Sequence, residues 1–107
     1  MSSRSHSRTC LALCHVAFED LGTLEPLFRS RGFQIRYVQA GAPYPSVQEW
    51  LGADCCVVLG GPVGVGDVER HPYLKTELDL VRMRLERQLP LLGVCLGAQM
   101  MAHALGA

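Results

Sequence analysis

The sequence has no excess of either charge: ten Lys and Arg offset ten Asp and Glu among 107 residues. A chain without a net field is not drawn to nucleic acid or to an anionic membrane surface, so neither is expected as a partner. No apolar run reaches the roughly 20 residues needed to cross a bilayer. No secretory leader is expected either. The polar segment 1–9, read as a disordered tail, precedes the apolar run from Cys10 to Phe18. His15 interrupts that run, Glu19 and Asp20 follow it, and no small-x-small cleavage site is present. The expected location is cytoplasmic. No internal repeat occurs, no second domain is expected within these residues, and residues 10–107 read as one small domain.

A disulfide framework is excluded as well. The five cysteines are odd in number. Four of them (Cys10, Cys14, Cys55 and Cys56) sit inside apolar runs as small hydrophobes. Cys10 and Cys14 invite a metal reading, but on a strand four residues separate them by about 13 Å, too far to share one zinc ion. Cys55 and Cys56 are neighbours whose side chains point to opposite faces of a sheet. No metal site is expected.

What is present is an alternation of strand-like and helix-like periods. The run from Cys10 to Ala17 reads as a strand. Leu21–Arg31 reads as a helix with Leu24, Leu27 and Phe28 on one face and Gly32 at its end. Phe33–Gln39 alternates in strand fashion, 41–45 is a loop, and Val47–Leu51 makes a short helical turn. Asp54–Leu59 is a continuous apolar strand, as expected when both faces are covered. A glycine-rich loop, 60–66, follows it. The spacing then predicts a helix over 72–88. Its apolar stripe is Leu74, Leu78, Val81 and Leu85, and Lys75, Glu77, Asp79, Arg82, Arg84, Glu86 and Arg87 face water. Pro90–Val94 is a fourth strand and Gly97–Leu105 a final helix, stopped by Gly106. This order predicts an α/β fold: a parallel sheet with right-handed crossovers and helices on both faces, a flavodoxin-like three-layer sandwich. Sites in such sheets lie at the carboxyl ends of the strands.

One sharp signal stands at such an end. Gly93-Val94-Cys95-Leu96-Gly97 converts an apolar strand directly into a helix. This is the sequence form of a nucleophile elbow, with cysteine as the nucleophile. Glycines at 93 and 97 leave room beside the corner. Unpaired N–H groups at the following helix start favour thiolate over thiol at Cys95.

Taken together, Val58-Leu59-Gly60-Gly61-Pro62, Gly66-Asp67, His71-Pro72-Tyr73-Leu74 and Gly93-Val94-Cys95-Leu96-Gly97-Ala98-Gln99 resemble class I glutamine amidotransferases. The resemblance is to their stand-alone, GMP-synthase-like branch, and it runs from Cys10 to Ala107. It includes His15-Val16-Ala17-Phe18-Glu19 and Gly22. It implies that Cys95 attacks the side-chain carbonyl of glutamine and forms a γ-glutamyl thioester, which releases ammonia and then glutamate. The oxyanion donors it implies are the backbone N–H of Leu96 and one from the Gly60-Gly61 turn. Gln99 matches a position that helps hold substrate glutamine. Ammonia would pass to a synthase, as a separate subunit or domain. No cofactor is implied for the half-reaction. A dinucleotide loop is disfavoured at 60–66, because Gly-x-Gly-x-x-Gly does not occur there.

The family completes its site with a His-x-Glu pair, where the histidine acts as base and acid. None of His6, His15, His71 and His103 is followed two residues later by an acid. Residue 103 is eight places beyond 95, about 12 Å along a helix and out of reach. The chain therefore reads as the amino-terminal half of an amidotransferase domain, truncated after the elbow helix and inactive as it stands. The alternatives are another cysteine hydrolase of similar fold, and a catalytically dead interaction module.

Overall fold

In the computed structural model, residues 8–15, 20–40, 43–60, 72–94 and 96–106 are described. Four strands and four helices alternate: β1 (Arg8–Cys14), α1 (Leu24–Ser30), β2 (Phe33–Gln39), α2 (Val47–Gly52), β3 (Cys55–Val58), α3 (Pro72–Glu86), β4 (Leu91–Gly93) and α4 (Leu96–Ala104). The sheet order is β2-β1-β3-β4, and all three pairings are parallel. This is the expected α/β architecture. β1 begins two residues before its apolar run. Arg8 and Thr9, assigned from sequence to the tail, pair with Phe33 and Gln34, and the Thr9 N–H donates to the Asp54 carboxylate at 2.8 Å.

Strand alternation sorts side chains between two cores. Cys10, Ala12, Cys14, Val57 and Leu59 face one side, where Leu24 and Phe28 of α1 cover them. Leu11, Leu13, Cys56 and Val58 face the other, packed against Trp50 of α2, Leu74, Leu78 and Val81 of α3, and Leu96 and Met100 of α4. Cys55 and Cys56 do point to opposite faces. α2 opens with a capping box: the Glu49 N–H donates to Ser46 Oγ and the Ser46 N–H to Glu49 Oε1.

The expected water-facing side of α3 needs correction at two positions. Glu77 and Arg84 are both fully buried. Both fall on the stripe's own spacing, three residues after Leu74 and Val81, so helical geometry carries them inward and hydrogen bonds compensate for burying charge. The Arg84 guanidinium donates to the carbonyls of Trp50 at 2.6 Å, Ala53 at 3.1 Å and Pro90 at 2.9 Å. It satisfies carbonyls at the C-terminal end of α2 and lies 5.9 Å from the Trp50 ring centre. The same side chain thereby ties α2 and the approach to β3 to Pro90, where the chain enters β4. Arg82 pairs with Asp79 at 3.6 Å on the exposed face.

Candidate functional site

Because the sheet is parallel, the ends of β1, β3 and β4 open on one edge, and His15, Gly60 and Val94 all lie there. The turn from β4 into α4 is tight. The Val94 N–H donates to the Val58 carbonyl at 2.9 Å, and the Gly97 N–H returns to the Val94 carbonyl at 3.0 Å. A β-carbon at Gly97 would stand 2.0 Å from the Val58 carbonyl oxygen, and one at Gly93 would stand 2.6–2.7 Å from backbone atoms of Gly97 and Ala98. Both contacts are with main chain, which cannot swing aside. Glycine is thus required on both sides of residue 95, as the elbow pattern demands.

Gly97→Ala is accordingly expected to cost at least the about 1–3 kcal/mol typical of overpacking. It should lower the midpoint of a urea melt, whereas Gly52→Ala should not, since nothing lies within 4 Å of a β-carbon there. Equal stability of the two variants would contradict this description of the corner.

Of the residues singled out from sequence, Cys95 and Gly61 lie outside the described residues. Leu96 is buried at the first position of α4, Gly60 is buried just beyond β3, and Gln99 is exposed on α4. Leu96 and Gly60 thus flank the same edge: α4 abuts β3 at Gly97 and Val58, and Gly60 follows Val58 by two residues.

The structure adds a network that the sequence reading did not assemble. The His15 side chain is fully enclosed, with Nε2 2.6 Å from Glu77 Oε1 and Nδ1 3.0 Å from the Gly60 carbonyl oxygen. The other Glu77 oxygen accepts from the Tyr44 hydroxyl at 2.5 Å. A carboxylate and a carbonyl are both acceptors, so the pairing favours a hydrogen on each imidazole nitrogen, the imidazolium form. Burial pushes its pKa down, but the Glu77 carboxylate, helped by the Gly60 and Leu59 carbonyls, more than offsets this and raises it above 6.5. The arrangement also disfavours His15 as the base for a thiol, because both ring nitrogens already face acceptors. Glu77 gave one signal in the sequence, its position on the apolar stripe of α3.

Among the thiols, Cys10, Cys14 and Cys56 are buried, and Cys55 is half-buried. Cys10 and Cys55 are register partners on β1 and β3. They share a hydrogen bond that, with Arg84 nearby, lowers the pKa of Cys55, while the enclosed Cys10 holds its proton. Burial pushes Cys56 up to about 12.

The sequence profile of the family described as "Glutamine amidotransferase class-I" matches residues 22–107. The chain belongs to the class I glutamine amidotransferases. A glutamine amidotransferase-like protein of Salmonella typhimurium, YfeJ, is 33% identical over 98 residues, which cover 87% of this chain and 40% of that protein. One from Acanthamoeba polyphaga mimivirus, L716, is 40% identical over 50 residues, 47% of this chain and 24% of its own length. The crystal structure of a glutamine amidotransferase from Thermotoga maritima superposes with a TM-score of 0.83 at 37% identity, covering 94% of this chain and 44% of that one. A protein from Thermoplasma acidophilum, described as one chain of a GMP synthase, shares the fold with a TM-score of 0.63 at 22% identity, covering 95% of this chain and 47% of that one. The amidotransferase chain thus spans less than half the length of these relatives. Among the described residues, no helix is long and apolar enough to cross a membrane.

Proposed function

We propose that this amidotransferase chain carries the nucleophile side of a glutaminase site of the GMP-synthase-like type. The Cys95 thiolate attacks the side-chain carbonyl carbon of glutamine, forming a C–S bond. The Leu96 N–H and an N–H of the Gly60-Gly61 turn receive the oxyanion. Collapse breaks the C–N bond, and ammonia departs once its nitrogen is protonated. Water then cleaves the γ-glutamyl thioester to glutamate and restores the thiol. Gln99 helps hold the substrate. Ammonia passes to a synthase in the cytoplasm, as a separate subunit or domain. The half-reaction itself uses no cofactor.

The observation that supports this reading best is the corner around residue 95. Two glycines permit a strand-to-helix turn against the end of β3, with Gly60 two residues on from the point of contact. Such a turn sets a thiol at the start of a helix, where N–H groups and the helix dipole favour the thiolate.

Time-resolved iodoacetamide labelling followed by peptide mapping tests it. Cys95 is expected to label first and L-glutamine to slow that labelling. Cys55 should follow, and Cys10, Cys14 and Cys56 should label only on unfolding, given their burial. Labelling of Cys55 ahead of Cys95, with no protection by glutamine, would contradict the assignment.

A further inference from the structure

Resting on the reading of Cys95 and the Gly60-Gly61 turn as glutaminase machinery, we propose that His15 is a positioning residue for the oxyanion hole. Its hydrogen bond to the Gly60 carbonyl fixes the peptide whose N–H receives the developing charge.

In a trans peptide a carbonyl and the N–H that follows it point in opposite directions. Holding the oxygen therefore aims the N–H. With glycine at both 60 and 61, no side chain of either residue helps to fix such a plane. His15 holds the oxygen through Nδ1, 3.0 Å from it, at the end of β1. Glu77 of α3 locks the ring from the opposite nitrogen at 2.6 Å, and Tyr44 locks Glu77 at 2.5 Å. Three separate parts of the fold thus converge on one backbone carbonyl. A charged donor on that carbonyl also polarises the amide and strengthens its N–H as a donor, since linked hydrogen bonds reinforce one another.

Deprotonation would release the carbonyl. The remaining proton stays on Nε2, facing the stronger acceptor Glu77, and leaves a bare Nδ1 lone pair against the Gly60 oxygen. The titratable side chains that face His15 among the described residues are Glu77, Tyr44 and Tyr73, the last with its ring centre 6.3 Å away.

Two reactions of the same thiol test the proposal. Alkylation of Cys95 by iodoacetamide needs no oxyanion hole. Acylation by glutamic acid γ-p-nitrophenyl ester does need one, and its leaving group departs without a proton. In His15→Ala, acylation is expected to fall by about 10²–10³-fold, the usual loss for one oxyanion donor, with alkylation within about threefold of the parent. His15→Asn, whose amide nitrogen can stand where Nδ1 stood, should recover at least tenfold of the lost acylation. In the unmodified chain, the ratio of acylation to alkylation should decline as pH rises through the raised pKa of His15, a readout that survives even if both variants unfold. An unchanged acylation rate in folded His15→Ala would overturn the proposal. So would an equal loss of both reactions, or a pH-independent ratio. Failure of the parent chain to acylate while Cys95 still alkylates would instead overturn the glutaminase reading itself.

Discussion

Glutamine hydrolysis by residues 1–107 is expected to be negligible, and a longer form carrying a His-x-Glu pair is expected to restore it by about 10²–10⁴-fold, the usual worth of general acid–base help. The reason is the departing ammonia. The tetrahedral intermediate can be stabilised by backbone donors, but a poor leaving group also needs a proton. Of the two described histidines, His15 has both nitrogens committed to Glu77 and Gly60, and His103 is exposed near the far end of α4. Members of such a site act as a unit, so a nucleophile without its partner retains little turnover. Cys95→Ala in the longer form should abolish glutamate release, measured by a coupled dehydrogenase assay. Robust hydrolysis by the 107 residues alone would assign the base to one of their own histidines.

A second large effect is expected at Glu77. Glu77→Leu removes the carboxylate that sits against the buried His15 ring and the Tyr44 hydroxyl. Breaking a buried pair by deleting one partner costs about 3–5 kcal/mol, a large share of the roughly 5–15 kcal/mol that holds a small domain together. Glu77→Gln should cost less, since an amide oxygen still accepts one of the two hydrogen bonds.

The linkage has a definite sign. His15 has a raised pKa in the fold, so its stabilisation is complete below the ordinary value of 6.5 and is lost as pH climbs through the raised one. Urea melts at stepwise pH should show this decline in the parent chain and a flatter profile in Glu77→Leu. A variant as stable as the parent at every pH would show that the network contributes nothing.

Much of this fold was legible from periodicity. β2 spans Phe33–Gln39 as the alternation indicated, and β3, Cys55–Val58 within the run 54–59, is buried from Cys56 onward as that unbroken apolar run indicated. The Gly93 and Gly97 contacts give a steric reason for the glycines of the elbow pattern. Helix ends were less legible. α1 starts at Leu24, not Leu21, because Gly22 at φ 56° and a turn from Leu21 to Leu24 precede it.

The larger omission lay in α3. The charges of Glu77 and Arg84 point to the wet face, although their spacing matches the apolar stripe. Their partners are a histidine 62 residues away for Glu77, and backbone carbonyls of Trp50, Ala53 and Pro90 for Arg84. Such contacts arise only once the sheet brings separate segments to one place. Sequence spacing along one helix carries no trace of them.

The most direct measurement is the mass of Cys95 after exposure of this amidotransferase chain to glutamic acid γ-p-nitrophenyl ester. The nitrophenolate leaves unaided, so the experiment examines nucleophile and oxyanion hole without calling on a general acid. A γ-glutamyl adduct is expected on the peptide containing Cys95, formed ahead of any on Cys55 and absent in Cys95→Ala. Acylation of Cys55 alone, or no adduct on a chain whose Cys95 still reacts with iodoacetamide, would contradict the assignment of Cys95 as a glutaminase nucleophile.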